Sequence, residues 1–201
     1  MSNVIFTYNE EAALTAGQGG FINETGAHII TITEAELKKS EKGAKFIEFS
    51  GESDDGRKIQ YLSVCVQKND GTENKFGANV VHAMMGCAGI GQLTQHMVSA
   101  SKFVAPEFHG KKIGLVLQKV LTTNKKTGAD SYQMEIRIPF IAQTGQTLKE
   151  KAEGKQPETI ADMVASLKDK DNRSKNVSQN HADDYGYSQN DYPAFWLLKI
   201  R

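Results

Sequence analysis

Residues 44–67 read AKFIEFSGESDDGRKIQYLSVCVQ, and this stretch decides the fold. Two runs rich in Ile, Val, Phe and Tyr flank Asp54, Asp55 and Gly56. Asp and Gly tolerate the positive φ that a tight turn between paired strands demands, so the stretch is expected to form a hairpin with strands at 44–50 and 57–67. Upstream, residues 27–37 (AHIITITEAEL) alternate apolar and polar side chains and run into a polar turn, Lys38, Lys39, Ser40, Glu41, Lys42 and Gly43. They are expected to form the preceding strand. Downstream, residues 67–73 (QKNDGTE) turn the chain, and residues 76–87 bring Val80, Val81, Met84 and Cys87 to helical spacing on one face.

Residues 88–110 read as a looser stretch. Two further strands follow, at 113–122 (IGLVLQKVLT) and 131–141 (SYQMEIRIPFI). In the last, Tyr132, Met134, Ile136, Ile138 and Phe140 alternate with Gln133, Glu135 and Arg137, as in a half-buried antiparallel strand. The core order is β-β-β-α-β-β. A helix between the third and fourth of five strands is the element order of an OB-fold, a small, partly open five-stranded barrel whose second and third strands carry a binding face. From residue 143 the composition turns to Lys, Glu, Gln and Asn, with a short helix expected at 157–167 (PETIADMVASL) and a charged run at 168–175. The expected organisation is an N-terminal extension at 1–20, a mainly β, OB-fold-like core at 21–142, and a mostly flexible polar C-terminal extension at 143–201. No internal repeat recurs at a fixed period.

Composition limits the function. The chain has 201 residues, with 24 Lys and Arg against 24 Asp and Glu, so it does not grip a polyanion by bulk charge. Any nucleic-acid site must be local. Mean hydropathy is −0.46, no apolar run approaches the roughly 18 residues of a membrane span, and residues 1–11 lack the basic and apolar regions of an export signal. A cytoplasmic location is expected. Cys65 and Cys87 sit in apolar surroundings and are expected to be buried thiols rather than a disulfide or a zinc site.

In an OB-fold the groove lies between the loop joining strands one and two and the loop joining strands four and five. Here the first carries Lys38, Lys39, Lys42 and Lys45 and the second carries Asn124, Lys125 and Lys126. Residues 21–142 hold 15 Lys and Arg against 13 Asp and Glu, a net of +2 concentrated at those loops. That is the electrostatic footprint of a single-strand binder. Its second requirement is an aromatic on which a base can stack, and Phe46, Phe49, Tyr61 and Tyr132 qualify. Phe46 and Phe49 have opposite parity, so on a regular strand one faces the core and the other is free. Periodicity alone leaves open which. Solvated turns and ordinary core aromatics are the plainer reading of each residue taken singly.

No catalytic constellation is expected. The run Gly86-Cys-Ala-Gly-Ile-Gly91 closes a helix, whereas a dinucleotide loop opens one. His28, His82, His96, His109 and His181 are scattered without metal-ligand spacing, and His82 and Cys87 fall on different faces of their helix. Neither metal nor cofactor is called for.

Four features together resemble bacteriophage single-stranded DNA-binding-like proteins. They are the extended start Gly26-Ala27-His28-Ile29, the turn Ala35-Glu36-Leu37-Lys38-Lys39-Ser40-Glu41-Lys42-Gly43, the strand Phe46-Ile47-Glu48-Phe49 and the helix end Gly86-Cys87-Ala88-Gly89. The likeness covers the first half to two-thirds of the chain. It implies an OB-fold, single-stranded DNA as ligand, a role in phage DNA replication or recombination, and residence in the host cytoplasm. The stretch containing Asp183, Asp184, Tyr185, Asp191, Tyr192, Pro193 and Phe195 is similar to the acidic tips with which bacterial single-stranded DNA-binding proteins recruit replication or recombination proteins. It differs in that Ala194 separates Pro193 from Phe195 and residues 196–201, beginning with Trp196, follow. The alternatives are that residues 192–200 dock back on the barrel or on a second copy, or that the acidic tail covers the basic groove. From a different class, the rival function is a protein-interaction OB module without nucleic-acid affinity.

Overall fold

Strand β1 (Gly26–Lys39) changes partners along its length, and its own side chains explain why. Ile30 and Ile32 point inward in regular alternation, then the register slips between Ile32 and Glu34 so that Ala35 is the next buried residue. Such a bulge inserts one residue and bends the strand. Before the bend, residues 26–31 pair with β6 (Lys112–Thr123). After it, Glu36 and Leu37 pair with β5 (Lys102–Val104). The opposite edge of β1 pairs with β2 (Lys45–Ser53), which pairs in turn with β3 (Lys58–Gln67). The computed structural model describes residues 7–10, 20–124 and 126–173.

The β2–β3 turn forms as expected. Ser53 N–H donates to Arg57 C=O at 2.8 Å, Asp55 Oδ1 accepts from Arg57 N–H at 3.1 Å, and Gly56 takes φ 80°. Helix α1 (Lys75–Ala88) starts at Asn74, whose side chain accepts from Gly77 N–H, and stops at Gly89 in the left-handed region. It buries Val80, Val81, Met84 and Cys87 and packs on both β3 and β7 (Asp130–Phe140). Gly77 permits this approach, because a Cβ there would lie 1.8 Å from the carbonyl oxygen of Cys65.

The five expected strands and the helix all appear, within three residues at each end. Two features differ. The stretch 88–110 contains a hairpin, β4 (His96–Ser99) with β5, followed by a 3-10 turn at Pro106–Phe108. Strands of three or four residues are too short to display a period. They nevertheless deliver Phe108, fully buried, edge-on to Phe49 with ring centroids 5.1 Å apart. The second difference is that the folded body extends beyond residue 142. Helix α2 (Leu148–Glu153) packs against α1, helix α3 (Thr159–Ser166) packs against β1, and strand β8 (Lys170–Asp171) joins the sheet, so the part of the extension running to residue 173 is structured rather than flexible. A Thr147–Glu150 capping box starts α2, and β8 pairs parallel with β6.

This packing also explains β6, which is buried on both faces from Ile113 to Gln118. Ile30, Ile32, Phe49, Leu62, Met84, Leu115 and Leu117 form the main core. Val116, Phe140 and Ile160 form a second cluster on the other face, with Ile29, Ile138 and Met163 packed around them. Strand β7 serves both clusters, because a register shift opposite Val116 and Leu117 turns Ile136 to one face and Ile138 to the other. Burying an Ile side chain contributes roughly 1.5–3 kcal/mol, so Ile160 is a substantial anchor for α3.

The result is a mainly β structure with one mostly antiparallel eight-stranded sheet, in the path β3-β2-β1-β5-β4 with β6, β7 and β8 branching from β1. Strands β3 and β7 flank α1 without pairing to each other.

Candidate functional site

Register across β1, β2 and β3 defines an outward face. Lys38 lies opposite Phe46, which lies opposite Cys65; Glu36 lies opposite Glu48, which lies opposite Ser63; and Glu34 lies opposite Ser50. Two glutamates facing each other across a ladder repel. Lys38 relieves this repulsion, because its ammonium donates to Glu48 and lies 3.6 Å from Glu36. The Glu48 hydrogen bond holds Lys38 protonated above the ordinary lysine range, despite some burial. Lys102 of β5 closes the row, 2.6 Å from Glu34. The centre of the face is therefore mixed in charge rather than basic.

Tyr61 stands out on this face. The β2–β3 register slips between Phe49 and Gly51, so β3 carries one residue too many opposite Ser50. The extra residue is accommodated at Tyr61 with φ 61°; among the described residues it is the only non-glycine with positive φ. A left-handed conformation costs a tyrosine roughly 1–2 kcal/mol. The ring it displays is 70% exposed, and Lys38 Nζ sits 5.9 Å from the ring centroid. Phe46, half-buried, has the same outward parity.

The other expected stacking residues do not join this face. Phe49 is fully buried against Phe108 and is a core residue; the open choice between Phe46 and Phe49 thus falls to Phe46. Tyr132 is 41% exposed on the β6–β7 hairpin and follows the parity of core-facing Met134. Its ring carries Lys119 Nζ at 4.9 Å, a cation–π contact.

The two lysine loops lie beyond opposite ends of β1. The β1–β2 turn follows Lys39, whereas β6 runs back along the start of β1, with Gly26 opposite Leu117, and continues past it to Asn124. At the first end, Lys39 and Lys45 are both exposed and directly opposed, with exposed Lys42 in the turn between them. At the second, Asn124 Oδ1 accepts from the N–H of Lys126 at 2.9 Å and of Thr127 at 3.2 Å, presenting Lys126 on the exposed tip. Lys125 and the tail positions Asp183, Asp184, Asp191, Tyr192, Pro193, Phe195 and Trp196 lie outside the described residues.

Sequence reasoning missed Lys102 and Lys119, together with the three glutamates that neutralise the centre of the face. Lys102 fell in the stretch read as loose. Lys119 does carry a signal, as a lone cation inside the apolar run IGLVLQKVLT.

Burial pushes the Cys87 thiol up to about 11, and Cys65 is half-buried with Sγ 3.4 Å from the Gln67 carbonyl oxygen. Among the described residues, no group of three or more His, Cys, Asp and Glu side chains is placed to hold a metal ion, and no helix is long and apolar enough to cross a membrane. No protein-family model matches the chain, and no curated protein matches it.

Proposed function

We propose that this chain is a sequence-independent single-stranded DNA-binding protein, not an enzyme, acting in the cytoplasm in phage DNA replication or recombination. In this reading the sheet around β1, β2 and β3 is an OB-fold-like binding platform. The observation that carries it is Tyr61, an exposed aromatic held in a strained backbone conformation on that platform. Strain of roughly 1–3 kcal/mol that only serves to display a side chain is typical of ligand sites, and an aromatic face accepts any base. Phe46 supplies a neighbouring apolar surface. Lys39, Lys42 and Lys45 offer phosphate contacts at one end of β1, and Lys126 with Lys119 and Tyr132 at the other.

The test is fluorescence anisotropy with a labelled oligo-dT of about 30 nucleotides, enough for several OB-fold sites, beside the matching duplex at two salt concentrations. Salt-sensitive binding to the single strand alone is the expected result. Absence of binding even at low salt would defeat the proposal.

One observation favours the protein-interaction reading instead. Glu34, Glu36 and Glu48 occupy the centre of the face, where a phosphate backbone meets repulsion unless its path keeps to the lysine-bearing ends. Under that reading the DNA titration is flat, and a protein partner takes the same face.

A further inference from the structure

An open cleft of about 320 Å³ lies between α1 and the ends of β2 and β3. Ile47, Val66, Ala78, Val81, Met85 and Leu93 make its apolar lining, with Glu73 and His82 exposed at its margin. We propose that this cleft is the seat of residues 192–200 of the same chain, YPAFWLLKI.

Three observations select that occupant. The first is composition: Tyr192, Phe195, Trp196, Leu197, Leu198 and Ile200 crowd into nine residues, and leaving them in water forgoes about 25 cal/mol for each Å² of apolar surface that burial would remove. The cleft supplies an apolar surface of matching character, and its volume suits one or two large side chains.

The second is reach. Arg173 pins the last described residues, donating to Asp171 at 2.6 Å and to Asp130 of β7 at 2.9 Å. Residues 174–191 then span at most about 60 Å when extended, which exceeds the roughly 40 Å diameter of a body of this size. The third is charge: Lys199 and Arg201 beside the apolar stretch complement Glu73 on the cleft margin. The inference stands independently of the DNA-binding reading.

Trp196 is the only tryptophan in the chain, so its emission reports on the segment alone. In the full-length protein the expected emission is blue-shifted and weakly quenched by acrylamide, and it returns to that of the urea-unfolded chain in Met85→Glu. A tail variant, Phe195→Ser with Leu198→Ser, should release Trp196 in the same way while leaving thermal unfolding of the body cooperative; it guards against a Met85→Glu protein that simply fails to fold. Solvent-like emission in the full-length native protein would overturn the proposal. So would a blue-shifted emission that survives Met85→Glu in a folded protein, or one that appears only with a second copy, seen as concentration dependence matched by a dimer in size-exclusion chromatography.

Discussion

Lys39 of β1 and Lys45 of β2 stand directly opposite each other at the end of their ladder, both exposed. Like charges in this position cost an antiparallel pair roughly 0.2–1 kcal/mol, and an anion between them removes that cost. Lys45→Glu should therefore stabilise the free protein by about 0.2–1 kcal/mol in urea denaturation. The same variant should bind oligo-dT more weakly and with a shallower salt dependence, because a phosphate contact is lost. A variant that is stabilised yet binds as before would remove this pair from the interface.

At Tyr61 the backbone and the side chain pull in opposite directions. Tyr61→Gly relieves the left-handed conformation and should be neutral or stabilising by up to about 1 kcal/mol. It should nevertheless weaken single-strand binding by about 1–3 kcal/mol, the usual contribution of one stacked base, with the salt slope unchanged. Anisotropy titrations at several salt concentrations separate the two effects, and unaltered affinity would assign the strain at Tyr61 some other role.

Glu150 is buried at the junction of α2 and α3. Burial alone would raise its pKa, but N–H and O–H donors from Thr159, Glu158 and Thr147 overcome this and hold it at about 2, below the 4.5 of an ordinary glutamate. A depressed carboxylate stabilises the fold fully above its unfolded pKa and loses that contribution as pH falls from about 4.5 towards 2. Glu150→Ala should cost about 1–3 kcal/mol at pH 7, and the gap to the unaltered protein should close across that acid window. A gap independent of pH would show that Glu150 acts through packing alone.

The two cysteines should react differently. The Cys87 thiol, pushed up to about 11 by burial, carries almost no thiolate at pH 8. Iodoacetamide on the native protein should label Cys65 first, with Cys87 reacting only on unfolding; peptide mass spectrometry reads both sites. Equal labelling under native conditions would mean that α1 opens locally.

Much of the framework was legible because it rests on local physics. Asp54-Asp55-Gly56 can hardly do other than turn, and the spacing of Val80, Val81, Met84 and Cys87 on α1 needs no distant partner to be recognised. The errors arose where distant residues decide. The β4–β5 hairpin is too short to show a period and forms because β1, bent at its bulge, offers it an edge. Residues 143–171 are polar enough to look like a flexible extension, and of their elements only the short helix expected at 157–167 was legible, as α3. What holds it down is distant in sequence, Ile160 packing on Val116 of β6 and Phe140 of β7.

The candidate site divides in the same way. Which residue types were available for phosphate and base contacts followed from the sequence: lysines in two turns and four aromatics on strands. Tertiary structure alone decided that Phe49 turns inward to Phe108, in step with Ile47, and that Tyr61 turns outward, since one extra residue in β3 breaks the alternation that would have placed it on the same face as buried Ile59. It alone joined Lys38 to Glu48 and Lys102 to Glu34, converting an apparently basic rim into a mixed face with an exposed lysine pair, Lys39 and Lys45, at its end. Turns and periods are set by neighbours along the chain, whereas register, ion pairing and burial are set by neighbours in space.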